Sequence, residues 1–125
     1  MNNIDTLIQT LSQKPLGEVP FHQDNEYINR IAPNSFPVHM AVHQIKSGSE
    51  NHEQYCQLHK HSEPEINIIL GENLIYEIQI GEQIRTVSGN SVIWIPPDTK
   101  HSANLKSGSG QYICVLLSSE YRAEK

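Results

Sequence analysis

The chain has 125 residues, seven glycines, seven prolines and a formal net charge of -5. That length suits one domain with a buried core, and an acidic balance with lysines and arginines scattered singly argues against nucleic acid or an anionic membrane as partner. No stretch approaches the roughly 18 apolar residues of a membrane span, and the N-terminus lacks the basic and apolar regions of a secretory signal.

In chain order, residues 3–13 are predicted as a short helix, because Ile4, Leu7, Ile8 and Leu11 recur at helical spacing with Asn2 or Asn3 as cap. Its apolar stripe is expected on the outside of a sheet or against a second subunit. A linker with Pro15 and Gly17 follows, so residues 1–19 form an N-terminal helix and linker. Residues 26–31 alternate weakly and read as a strand. Pro37 opens a better one, with Val38, Met40 and Val42 on one face and His39, Ala41, His43 and Ile45 on the other. Residues 46–53, including His52, read as a polar, flexible loop with His52 solvated.

Residues 54–59 are predicted as a strand carrying a histidine pair. Strands are expected at 65–70, 74–80, 83–87, 91–95, 101–105 and 111–118, separated by Gly-, Pro- and Asn-containing turns. Residues 91–95 are apolar throughout, as in a strand buried on both faces. Many short strands with turns every eight to twelve residues indicate an all-β sandwich or barrel. Residues 120–125 read as a charged tail.

The chemistry concentrates in Gln57-Leu58-His59-Lys60-His61-Ser62-Glu63-Pro64-Glu65 and ends on Gly71. In extended backbone His59 and His61 point the same way, roughly 6–7 Å apart along the chain, so both imidazoles can lean onto one ion. Glu65 returns to that ion if Pro64 makes a tight corner. Far downstream, Gly89, the apolar run to Ile95, the turn Pro96-Pro97-Asp98 and then His101 and Asn104 form a second block.

Together the two blocks resemble the paired motifs of the cupin superfamily: His-x-His, a Glu four residues on and a Gly six later, then Gly, a Pro-containing turn, His and Asn. The resemblance spans residues 54–118. It implies a single jelly-roll barrel over residues 20–119, a metal held by His59, His61, Glu65 and His101, and a homodimer. This chain has Asp98 where the family's turn commonly has Gly, and Asn104 lies one residue nearer the histidine than usual. Asp tolerates the left-handed backbone that such a turn asks for.

Three imidazoles and a carboxylate suit one divalent transition metal, Fe, Mn, Ni, Zn or Cu, and suit magnesium or calcium poorly. Four protein ligands leave two positions of an octahedral ion for water, substrate or dioxygen. Strand parity puts Tyr55 and Gln57 on the face of His59, and Asn67 on that of Glu65, as candidate pocket residues. Tyr55 is a candidate general acid or anion holder; its plainer role is a packed aromatic with the hydroxyl at the rim. His43 is a candidate substrate contact. His39 and His43 are roughly 13 Å apart by strand rise, so at most one is expected to reach the pocket. Arg85 would clamp a carboxylate if its face turned inward. Trp94 and Tyr76 read as core or dimer contacts.

The family includes dioxygenases, isomerases, decarboxylases and lyases. The resemblance therefore implies a metal-dependent enzyme on a small oxygen-rich organic substrate, with a dioxygenase-type oxidoreductase slightly ahead of a non-redox isomerase or lyase. A metabolite-binding protein without turnover is the other alternative. Cys56 and Cys114 lack CxxC spacing and read as buried thiols, which points to the cytoplasm; a disulfide between them is the alternative.

Overall fold

A computed structural model of the chain describes residues 3–46 and 53–125. Residues 47–52 of the loop predicted at 46–53, with His52, and the alternative cap Asn2 lie outside the described residues.

Two antiparallel sheets are built from β1 (Ser12–Gln13), β2 (Ile28–Ala32), β3 (His39–Ile45), β4 (Glu65–Leu70), β5 (Ile75–Ile80), β6 (Gln83–Ser88), β7 (Ser91–Ile95), β8 (His101–Ser107) and β9 (Gly110–Leu116). The larger sheet has the order β1-β2-β3-β9-β4-β7 and the smaller β6-β5-β8. Between them lies a core to which both contribute: Ile45, Ile69 and Tyr112 from the large sheet, Tyr76, Ile78 and Leu105 from the small one. Tyr76 and Tyr112 stack across the gap with ring centroids 4.4 Å apart. Alternation drives this arrangement. In β4, Glu65, Asn67 and Ile69 are buried while Ile66 and Ile68 are half-buried on the outer face.

The strands at 65–70 and 91–95 have their predicted bounds, and every other predicted strand except that at 54–59 shifts by one or two residues at an end. The N-terminal helix does not form. Residues Ile4–Leu7 make one 3-10 turn, capped where Asn3 Oδ1 accepts from the Asp5 amide at 2.9 Å. Ile4, Leu7 and Ile8 are 60–68% exposed, so among the described residues nothing covers the apolar stripe, and an unpacked helix this short has little to hold it. Instead Ser12 and Gln13 pair with Ala32 and Ile31, which draws the segment out straight.

A second expectation also fails. β7 is an edge strand, with Val92 71% and Trp94 55% exposed, not a strand covered on both faces. Its unbroken apolar run arises because it faces the core on one side and adds to an apolar outer surface on the other.

The segment carrying His59 and His61 is extended but forms no regular strand, because its partner changes every few residues. Cys56 bridges to His22, His59 to His101 and Lys60 to Glu124. Asn104 binds the start of this arm. Its Oδ1 accepts from the amides of Tyr55 and Cys56, both at 2.9 Å, and its Nδ2 donates to the Cys56 carbonyl at 3.0 Å. The turn before β8 runs through Asp98, whose φ of 56° is left-handed, and the Asp98 amide donates to the His61 carbonyl at 2.7 Å.

Candidate metal centre and its cavity

Three backbone features bring the histidines together. The arm sets His59 and His61 two residues apart, the paired amides and carbonyls of His59 and His101 lock arm to β8, and Glu65 opens β4. All four side chains are buried. One ring nitrogen from each histidine lies within 4.8 Å of the others. Glu65 closes the group, with Oε1 3.3 Å from His61 Nε2 and Oε2 3.7 Å from His101 Nε2.

The hydrogen bonds fix which nitrogens face inward. The Nδ1 of His59 lies 2.7 Å from the Gln57 carbonyl, that of His61 2.6 Å from the Arg122 carbonyl, and that of His101 2.9 Å from the Thr99 carbonyl. A carbonyl only accepts, so each Nδ1 carries the proton and each neutral ring keeps its lone pair on Nε2. The buried Nε2 atoms of His61 and His101 have no hydrogen-bond partner. Lone pairs converging beside a carboxylate are unfavourable unless a cation or a proton sits among them.

The electrostatics agree. Burial would raise the Glu65 carboxyl, but the imidazoles of His101 and His61 outweigh it and hold it well below the usual carboxylate range. Burial would lower His61, yet the nearby Glu65 carboxylate and the bond to the Arg122 carbonyl leave it raised. Burial takes His59 down to about 4 against the opposing bond to the Gln57 carbonyl, with the neighbouring His101 adding to the drop. The set fits a divalent transition ion: His59, His61 and His101 through Nε2, and Glu65 through its carboxylate.

Beside this cluster is a small cavity of about 30 Å³, bordered by His22, Arg30, His39, His43, Tyr55, Tyr112 and Tyr121 among others. Of the predicted pocket residues, His43 and Tyr55 border it. The Tyr55 hydroxyl is not at a rim: it is buried and meets the Tyr76 hydroxyl at 2.9 Å. Asn67 points inward and is 1% exposed, but it does not border the cavity. Gln57 is exposed, and its carbonyl, not its side chain, serves the site. Strict alternation breaks in the arm, where Tyr55 and Cys56 are both buried. His39 and His43 both border the cavity, contrary to expectation, since it runs along β3. Arg85 is exposed and bonds the adjacent Ile84 carbonyl.

Several residues lacked a sequence signal. Phe21 has a left-handed backbone, φ 64°, and its ring lies nearly parallel to His59 with centroids 5.8 Å apart. Tyr121, in the predicted tail, sets its hydroxyl 3.3 Å from His59 Nε2, and its ring packs against His39 and His61. His22, Cys56 and His59 form a second cluster of donors, but it draws on the same His59, and burial pushes the Cys56 thiol up to about 12, so it stays protonated.

No family model and no curated protein matches the chain. Solved structures do. KdgF from Halomonas sp. is 18% identical, with a TM-score of 0.56 over 79% of this chain and 87% of that one. A Thermotoga maritima protein described as a predicted oxalate decarboxylase is 16% identical, with a TM-score of 0.60 over 86% and 91%. The polyketide cyclase RemF from Streptomyces resistomycificus is 9% identical, with a TM-score of 0.62 over 100% and 84%. Others include an RmlC-like cupin from Shewanella frigidimarina and a cupin 2 conserved barrel domain protein from Rhodopseudomonas palustris. At these identities the likeness is one of fold.

Proposed function

We propose that this chain, a cupin by fold, is a metal-dependent enzyme acting on a small oxygen-rich organic substrate. One observation carries the reading: three buried imidazoles, each turning its Nε2 inward, converge with Glu65, and His59, His101 and Glu65 of this group border a cavity. We assign His59, His61, Glu65 and His101 as ligands of one divalent ion of the Fe, Mn, Ni, Zn or Cu group. When bound, such an ion supplies Lewis acidity and, if redox-active, electrons to dioxygen.

The protein's own groups do the rest. The carbonyls of Gln57, Arg122 and Thr99 hold the three rings in orientation. Tyr55, Tyr112 and Tyr121 wall the cavity. Burial raises the Tyr121 phenol, so its hydroxyl is a proton donor aimed at the site. Burial, and then the Arg30 charge, lower His39 to about 4, so it is a neutral hydrogen-bonding group there at pH 7.

A dioxygenase-type reaction is the first expectation. A non-redox isomerase or lyase is the second, favoured by the names of two structural neighbours, a predicted oxalate decarboxylase and a polyketide cyclase, neither of which denotes an oxygenase. Oxygen uptake by metal-loaded protein over a panel of catechols, enols and keto acids separates them. Uptake supports the first. Anaerobic turnover supports the second. Tight binding of a panel member without turnover in either atmosphere would contradict an enzyme and leave a metabolite-binding protein.

A homodimer is part of the proposal. Ile66, Ile68, Val92, Trp94, Ile113 and Val115 form an apolar outer face on the large sheet, suited to a second copy. Free Cys56 and Cys114 suit a reducing, cytoplasmic setting.

A further inference from the structure

Arg30 occupies a position that alternation reserves for the interior. In β2 the inward residues are Ile28, Arg30 and Ala32, and Arg30 pairs in register with His43 of β3. It is 7% exposed. It borders the cavity beside His59, Glu65 and His101, and also the wider pocket of about 470 Å³ that shares Val19, His39 and Tyr121 with that cavity.

Its guanidinium nitrogens still reach solvent, and a cation at a cavity wall is normally matched by a carboxylate or by several acceptors. Among the described residues, no ion pair and no side-chain hydrogen bond holds that of Arg30. Glu65 is engaged by His61 and His101. Asp24, which borders a neighbouring pocket with Arg30, accepts instead from the Gly17 amide at 2.8 Å. Glu18 borders the outer pocket and forms no ion pair with Arg30. Across the register, His43 is also buried, with an unpartnered Nδ1. A cation without an anion and an imidazole without a partner thus border one cavity with the proposed metal ligands.

We infer that the substrate is an organic carboxylate and that Arg30 is the residue that anchors its carboxylate group, leaving a second oxygen of the same molecule to face the His59, His61, Glu65 and His101 cluster. The planar fork of arginine matches two carboxylate oxygens, which lysine cannot do. His43 then has a polar group of the substrate to bond. The inference names the substrate class for the proposed enzyme and rests on that reading for the role of the metal cluster. The anion site itself depends only on Arg30.

The test compares small carboxylates with their neutral amides: pyruvate with pyruvamide, benzoate with benzamide, salicylate with salicylamide. Binding is measured by calorimetry on metal-loaded and metal-free protein. At least one acid is expected to bind tenfold or more tighter than its amide in both forms. Arg30→Gln should remove that preference while metal content stays unchanged, and Arg30→Lys should retain part of it. Equal binding of every acid and amide, or a preference that survives Arg30→Gln in metal-free protein, would overturn the inference. Carboxylate preference through Arg30 in a protein that takes up no metal would uphold the anion site and refute the proposed metal enzyme instead.

Discussion

At the residue scale, His61 and His59 differ in how readily they take up a proton that metal would have to displace. His61 is raised above its ordinary 6.5 by Glu65 and the Arg122 carbonyl against the pull of burial, whereas His59 is neutral down to about 4. In metal-free protein the His61–Glu65 pair stabilises the fold below the unfolded value of histidine and is lost as pH rises through the raised folded value. Metal uptake reverses that preference, since a ligand nitrogen must be unprotonated. Apparent metal affinity should therefore fall by roughly tenfold per pH unit as pH drops below the His61 value, one proton per ion. Metal titrations between pH 5 and 8 measure it, and a flat profile would contradict the assignment of His61. Asn104 yields a second expectation. Asn104→Ala leaves the buried amides of Tyr55 and Cys56 without their acceptor, a loss on the order of 3 kcal/mol in chemical denaturation. Spacing, parity and a proline corner suggested in sequence that His59, His61 and Glu65 could meet; His101 joined them only through the resemblance to the paired cupin motifs, and the structure sets the four side chains side by side. Arg30 was not legible: an isolated arginine in a weakly alternating strand carries no sign that it faces inward, and the strand's extension to Ala32 appears only in the structure.

At the element scale, the C-terminal segment is the feature sequence reasoning undervalued. Its charges suggested a solvated tail, but Lys60 and Glu124 exchange backbone bonds at 2.8 and 2.9 Å, the Arg122 carbonyl receives His61 Nδ1, and Tyr121 reaches His59. Removing residues 120–125 should weaken metal binding at least tenfold, the usual cost of losing groups that orient a ligand. Tyr121→Phe, which keeps the packing and deletes only the hydroxyl, should leave metal binding near its original strength. Full metal affinity in the truncated protein would show that this segment does not hold the site. The N-terminal helix failed for the opposite reason: its pattern was right for a helix, but periodicity does not show whether a surface exists to receive the apolar stripe.

At the scale of the whole molecule, the two-sheet architecture was legible because strand alternation and turn residues repeat along most of the chain. Which strand lies at an edge was not, since β7 is apolar on both faces and only the topology reveals that Val92 and Trp94 are uncovered. If that face meets a second copy, Trp94→Glu should convert a dimer to a monomer in sedimentation at micromolar concentration while leaving metal content intact. A wild-type monomer would contradict the proposed dimer.

The convergence of His59, His61, Glu65 and His101 on one transition ion is tested most directly by X-ray absorption at the metal edge of the loaded protein. Three imidazole nitrogens and at least one carboxylate oxygen in the first coordination sphere, at one ion per chain, are predicted. A loaded ion with fewer than two imidazole ligands, or no stoichiometric uptake of any of the five metals, would contradict it.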